Sequence, residues 1–258
     1  MRLAFPRRDG AFGGQLVLLL TAVQFLTRVP VPVPGWVGHG PGQAAHAARY
    51  YPLVGMGVGL VGAGVFAGAG AGLPPLVAAV LSVAATVLLT GALHEDGLSD
   101  TLDGLFGGTT RVDALRIMRD SAIGAYGAAG LVVALGLKAA VLAELPDAGW
   151  ALVAGHAGSR AAMVAVIAAL PYARADGKAA GVAGVGMREV AVAGLVGAAA
   201  LLPFGWRGVA MAALAAGVAW AMARWFRRRL GGYTGDTLGA VQQVAELAIL
   251  LGALWRAA

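Results

Sequence analysis

Apolar residues run along this chain in long stretches, without the period-two alternation of half-buried strands or the narrow stripe of a surface helix. A membrane-spanning helix needs about 20 mostly apolar residues. Seven stretches approach that length, near 53–73, 76–93, 123–145, 149–170, 189–206, 208–225 and 237–255. Pro74-Pro75 marks a tight turn between the first two. The pattern predicts an all-α fold: a polytopic helical integral membrane protein of about seven transmembrane helices. An eighth stretch, Gln15–Leu26, is too short to span comfortably and contains Gln24. Arg2, Arg7 and Arg8 precede it as they would a signal peptide, but no small-x-small cleavage site follows. It reads as an interfacial or re-entrant helix. The whole chain, 1–258, forms one membrane-embedded unit. Its polar parts are an N-terminal segment 1–52, an acidic loop 94–122, and basic loops 171–188 and 224–236.

Composition agrees with this reading. The chain is 59% hydrophobic and 12% charged, about half the charge fraction of a soluble domain. There is no cysteine, which excludes disulfides, thiolate nucleophiles and Cys-ligated metals. The four histidines show no zinc-binding spacing. A net charge of +6 suits anionic partners, yet the basic residues follow the topology instead. With Gln15–Leu26 not spanning, one side of the membrane collects 15 of the 19 Lys and Arg residues. Cytoplasmic loops carry such an excess, so that side, with the acidic loop, is expected to face the cytoplasm. No nucleic-acid partner is implied.

The acidic loop is the chemical anomaly. The chain has only 13 acidic residues, yet Glu95, Asp96, Asp100, Asp103 and Asp113 fall close together. Continued past the bilayer, helix 76–93 would set Asp96, Asp100 and Asp103 in a stripe about 60° wide and about 10 Å long. Like charges at i,i+4 repel, and a cation between them would turn repulsion into binding. All-oxygen ligands favour Mg²⁺, Mn²⁺ or Ca²⁺ over zinc. Mg²⁺ typically takes one or two carboxylates, waters and substrate phosphates. The spacing therefore predicts a magnesium site for a diphosphate, unless Gly97 breaks the helix. The alternative is a solvated acidic helix end. His94 lies nearly opposite Asp96, as a general base or as a structural hydrogen-bonder.

Other polar residues suggest further roles. Arg111 and Arg119 in the following loop suit phosphate oxygens. Asp120 or Ser121 could cap helix 123–145, and Thr234 or Asp236 the last helix. Arg174 and Lys178 lie in a glycine-rich loop that either contacts phosphate or is simply basic. Arg160 and Glu246 lie at similar depth and are expected to pair or to share a polar cavity. Gly57-x-Gly59-x-x-Gly62 lacks a preceding strand and is no dinucleotide site. Gly55-x-x-x-Gly59 and Gly64-x-x-x-Gly68 read as helix-packing surfaces.

His94-x-Asp96-Gly97-x-x-Asp100-x-x-Asp103-Gly104, followed by Ile117-Met118-Arg119-Asp120-Ser121-x-Ile123-Gly124, resembles the cobalamin synthase family, also called adenosylcobinamide-GDP ribazoletransferases. Phe25-Leu26-Thr27-Arg28-Val29-Pro30, Tyr51-Pro52-Leu53-Val54-Gly55 and Gly232-Tyr233-Thr234-Gly235-Asp236-Thr237-Leu238-Gly239-Ala240 are similar to further motifs of that family, so the likeness runs nearly end to end. Glu95 and Ser99 depart from its usual residues. The resemblance implies transfer of phospho-cobinamide from adenosylcobinamide-GDP to α-ribazole or its 5′-phosphate, with release of GMP. It implies Mg²⁺ on Asp96, Asp100 and Asp103, and a multi-pass location in a bacterial inner membrane. Arg28, Arg111, Arg119, Asp120, Ser121, Arg174, Lys178 and Thr234 become candidate substrate contacts. His94, Asp103 and Asp236 become candidate catalytic groups. A homo-oligomer is left open. CDP-alcohol phosphotransferases share the aspartate theme but have Ala-Arg after their first aspartate pair and longer gaps. A cation transporter is the alternative from another class; its sites commonly lie near the bilayer midplane.

Overall fold

The computed structural model describes residues 11–31, 42–174 and 177–255. Arg2, Arg7, Arg8 and Arg256, and the side chain of Lys178, lie outside the described residues. Eleven α-helices follow one another: α1 (Ala11–Leu26), α2 (Gln43–Ala47), α3 (Tyr51–Gly70), α4 (Pro75–Thr90), α5 (Leu93–Gly107), α6 (Arg111–Ile117), α7 (Ala125–Glu144), α8 (Ala148–Ala169), α9 (Met187–Leu201), α10 (Trp206–Leu230) and α11 (Gly235–Leu254). Among the described residues there is no β-strand. Six helices, α3 with its α2 lead-in, α7, α8, α9 continued by a 3-10 turn to Phe204, α10 and α11, are long and apolar enough to cross a membrane. Helix α4 qualifies as a seventh only together with α5. The chain is a polytopic helical membrane protein. Helix α1, at 16 residues, is shorter than a span requires.

The acidic segment departs from the expected geometry. Helix α4 does not continue into it. Gly91 (φ 66°) and Ala92 (φ 56°) are both left-handed, and α5 leaves at 90° to α4. Gly91 N–H bonds to Leu88 O and Ala92 N–H to Val87 O, the paired closure that a glycine one position past a helix end permits. The expected loop 94–122 is thus mostly helix, α5 and then α6. The basic segment 224–236 is likewise helical as far as Leu230. Arg227, Arg228 and Arg229 fill the last turn of α10, where positive charge complements the helix dipole.

Alternation of the spans puts α5, the ends of α8 and α10, and the starts of α7, α9 and α11 at one end of the bundle. Helices α8 and α11 form its enclosed centre, 83% and 72% buried along their apolar windows, against 22–33% for the other spans. Close packing rests on small residues. Gly55 of α3 abuts the His156 backbone, and Gly59 abuts the Leu152–Val153 backbone of α8. Gly64 and Gly68 meet nothing, so only the first glycine pair forms a packing surface. Ser82 Oγ of α4 donates to Gly62 O of α3 at 2.8 Å.

Buried charge collects at the centre. Glu246 of α11 pairs with Lys138 of α7 at 3.0 Å, not with Arg160. Arg160, wholly buried, donates to His156 O at 3.0 Å. Gln242 donates to Glu246 at 2.6 Å, and Gln243 to Glu95 at 2.8 Å. Arg160 and Glu246 thus share one polar network facing the interior, linked through His156 Nδ1, 3.2 Å from Arg160 Nη1 and 3.6 Å from Glu246 Oε2. Removing one member of a buried ion pair costs about 3–5 kcal/mol because the other is stranded. Lys138→Met should lower the midpoint of thermal unfolding in detergent markedly, and Lys138→Met/Glu246→Gln should recover most of the loss. An unchanged midpoint in the single variant would refute the pairing.

Candidate active site

Gly97 does not break α5. It lets α5 approach α11: a Cβ there would meet Asp236 O at 2.7 Å and Gly239 Cα at 3.1 Å. Gly239 in turn lies against the His94 backbone. Asp96 and Asp100 flank Gly97 along α5, so this contact carries both toward Asp236 in the first turn of α11. Asp96 is exposed, and Asp100 and Asp236 are half-buried. Burial, then the neighbouring Asp96 and Asp236 charges, push Asp100 up to about 7, with Arg174 opposing. Asp96, Asp100 and Asp236 thus lie near enough to feel one another's charge.

One cation is built into the cluster. Arg174 Nη2 lies 2.6 Å from Asp236 Oδ2. Its backbone is fixed by stitching two loops together. Ala173 N–H donates to Tyr233 O at 2.8 Å, and Tyr233 N–H to Pro171 O at 2.9 Å. Gly232 sits directly on Pro171 O, leaving no room for a side chain. Arg111 Nη2 bonds Ala173 O at 2.9 Å, and its Nε bonds Leu230 O at 2.7 Å. Arg111 is thus a staple between backbones, bonded through Nε and Nη2.

Asp103 does not join the other aspartates. It is buried, and its carboxylate accepts from Gly124 N–H at 2.7 Å and Gly127 N–H at 2.9 Å. Helix α7 begins at Gly124, which has no side chain to cap it, and Asp103 supplies the missing acceptor from another helix. Neither Asp120 nor Ser121 caps α7. Asp120 Oδ1 closes a turn onto Ala122 N–H at 3.0 Å, and Ser121 is exposed. Thr234 does cap α11. It exchanges hydrogen bonds with Thr237 and is wholly buried, so its hydroxyl does not reach substrate space.

His94 turns into the bundle, about 200° around α5 from Asp96. Burial, then the positive Arg160, hold it well below the usual imidazole range. Its side chain thus points away from the Asp96 face of α5. Arg28 is exposed at the α4–α5 elbow, its side chain lying over Gly91 and its N–H donating to Leu89 O at 2.8 Å. Arg119 is exposed between α6 and α7. Among the described residues no group of three His, Asp or Glu side chains forms a ready-made metal cage. Asp96 and Asp100 remain an all-oxygen pair suited to a hard divalent cation completed by water and phosphate.

The cobalamin-5-phosphate synthase family matches residues 18–254. The chain belongs to that family. Its relatives include adenosylcobinamide-GDP ribazoletransferases of Leptothrix cholodnii, 49% identical over 91% of this chain and 94% of theirs, and of Ralstonia nicotianae, 47% identical over 90% and 92%. That of Azorhizobium caulinodans is 45% identical over 90% and 93%. No solved structure matches the chain. The match covers every element that builds the carboxylate cluster: α5, the loop that carries Arg174, and the start of α11.

Two aspartates of one motif should therefore respond oppositely to neutralisation. Asp103→Asn should lower thermal stability by about 1–2 kcal/mol, the scale of a lost helix cap. Asp100→Asn should leave stability unchanged or raise it, because it relieves repulsion among like charges. The reverse ranking in detergent unfolding would overturn the division of roles.

Proposed function

We propose that this chain transfers the phospho-cobinamide group of adenosylcobinamide-GDP to α-ribazole or its 5′-phosphate. A ribose hydroxyl oxygen forms the new bond to the phosphorus attached to cobinamide. The bond from that phosphorus to the GMP oxygen breaks. The products are GMP and adenosylcobalamin or its 5′-phosphate, and the hydroxyl proton passes to a carboxylate of the cluster. The observation that carries this reading is the convergence of Asp96, Asp100, Asp236 and Arg174 at one end of a membrane bundle of this family.

Phosphoryl transfer of this kind needs positioning and charge neutralisation more than covalent catalysis. Asp96 and Asp100 would hold Mg²⁺, which when bound neutralises the diphosphate and eases departure of the GMP phosphate. Arg174 reaches the same spot, and the exposed Arg28 and Arg119 would supply further guanidinium groups to phosphate oxygens. The carboxylate end would face the cytoplasm of a bacterial inner membrane. The excess of Lys and Arg in the segments at that end supports this orientation.

Purified protein in phospholipid vesicles, given adenosylcobinamide-GDP, α-ribazole and Mg²⁺, should release GMP. EDTA should stop the release and added Mg²⁺ restore it. Asp100→Ala should lose at least about 100-fold, the scale of removing one transition-state charge stabiliser. GMP release no faster than in Asp100→Ala would sink the assignment.

A further inference from the structure

The ion pair between Arg174 and Asp236 poses a question the proposed reaction leaves open. Three carboxylates meet at the site, yet one is already neutralised by the chain's own cation at 2.6 Å. Beyond that contact, Arg174 Nε and Nη2 make no hydrogen bond although both atoms are shielded from solvent. A guanidinium has five N–H donors in a planar fork. Here the fork meets a single carboxylate oxygen, so most of its hydrogen-bonding capacity toward an oxyanion is unused. The Arg174 and Asp236 side chains are 11% and 19% exposed, so the pair sits at the edge of the site, neither locked in the core nor free in water.

The backbone holds Arg174 in reach whichever partner it takes. Pro171–Ala173 is bonded to Tyr233 in both directions and stapled by Arg111. The side chain can therefore change partner while its attachment point stays fixed. Of the three carboxylates, Asp236 is the one that Arg174 touches.

We propose that Arg174 is an exchangeable counter-ion: it neutralises Asp236 in the free protein and moves to the substrate phosphate on binding, releasing Asp236 to the divalent cation. This inference rests on the phosphate-binding site proposed above. It makes binding of phosphate and of cation mutually supportive, because each draws one half of the ion pair away from the other. Such coupling is reciprocal and typically changes affinity about 5–150-fold.

The test reads binding, not turnover. Mn²⁺ stands in for Mg²⁺ and is followed by its paramagnetic resonance signal, without nucleotide. Arg174→Gln should bind Mn²⁺ at least about fivefold more tightly than the unaltered protein, because Asp236 is set free. In an Asp236→Asn background the same substitution should give little gain. An equal gain in both backgrounds would show a general charge effect and overturn the exchange. GMP binding in EDTA supplies the other half. Asp236→Asn should bind GMP more tightly, its Arg174 being unpaired, and Arg174→Gln more weakly. GMP affinity insensitive to both substitutions would also overturn the proposal. Absence of GMP release from adenosylcobinamide-GDP alongside these binding results would refute the reaction and leave the exchange standing.

Discussion

Two helix backbones can touch only where neither carries a side chain at the contact. Gly97 of α5 and Gly239 of α11 meet this condition, and the rest of the acidic end depends on it. The contact brings the carboxylates on either side of Gly97 to the first turn of α11. It also turns the opposite face of α5, with His94 and Glu95, into the bundle. A side chain larger than hydrogen at Gly97 would lever α5 away from Asp236. The cluster would then fall apart into isolated surface acids, each of little chemical use.

The elbow at Gly91-Ala92 sets the direction in which α5 runs. A straight continuation of α4 would carry the aspartates away from the bundle into water. The 90° turn instead lays α5 across the ends of the spans, beside α11 and α7. Once α5 lies there, Asp103 reaches the exposed amides at the start of α7. One acidic helix thus does two jobs on two faces. Its Asp96–Asp100 face concentrates unneutralised charge, and Asp103 spends its charge on holding another helix in place.

Charge deeper in the bundle follows a different rule. At membrane depth an unpaired ion is costly, and Lys138, Glu246, Gln242 and His156 bring their polar groups together. Glu95 and Gln243 link that network to α5. The position of α5 is therefore fixed by glycine contact at the rim and by polar contact beneath it.

Much of this was legible along the chain. Apolar run lengths gave the spans to within a few residues, because lipid demands helices of fixed length whose backbone groups bond internally. The concentration of aspartates in a chain so poor in charge marked the chemical end. Helical periodicity correctly set His94 apart from Asp96. Gly91 ends α4 at Thr90, where the apolar run had suggested helix to residue 93 and beyond. Other features were not readable, because they depend on which helices become neighbours. Periodicity put Asp103 on a face with Asp96 and Asp100, but only the folded chain places the bare amides of α7 beside it. Depth along the helix put Glu246 and Arg160 in one polar network, but only the rotation of the packed helices made Lys138 the ion-pair partner of Glu246. The sequence by itself determined the long apolar helices, the end where charge gathers and the residue types available there. Only the tertiary structure decided that Asp236, carried in from the last helix, is the third carboxylate of the cluster. Side-chain periodicity describes one helix at a time, and a site is made where two of them meet.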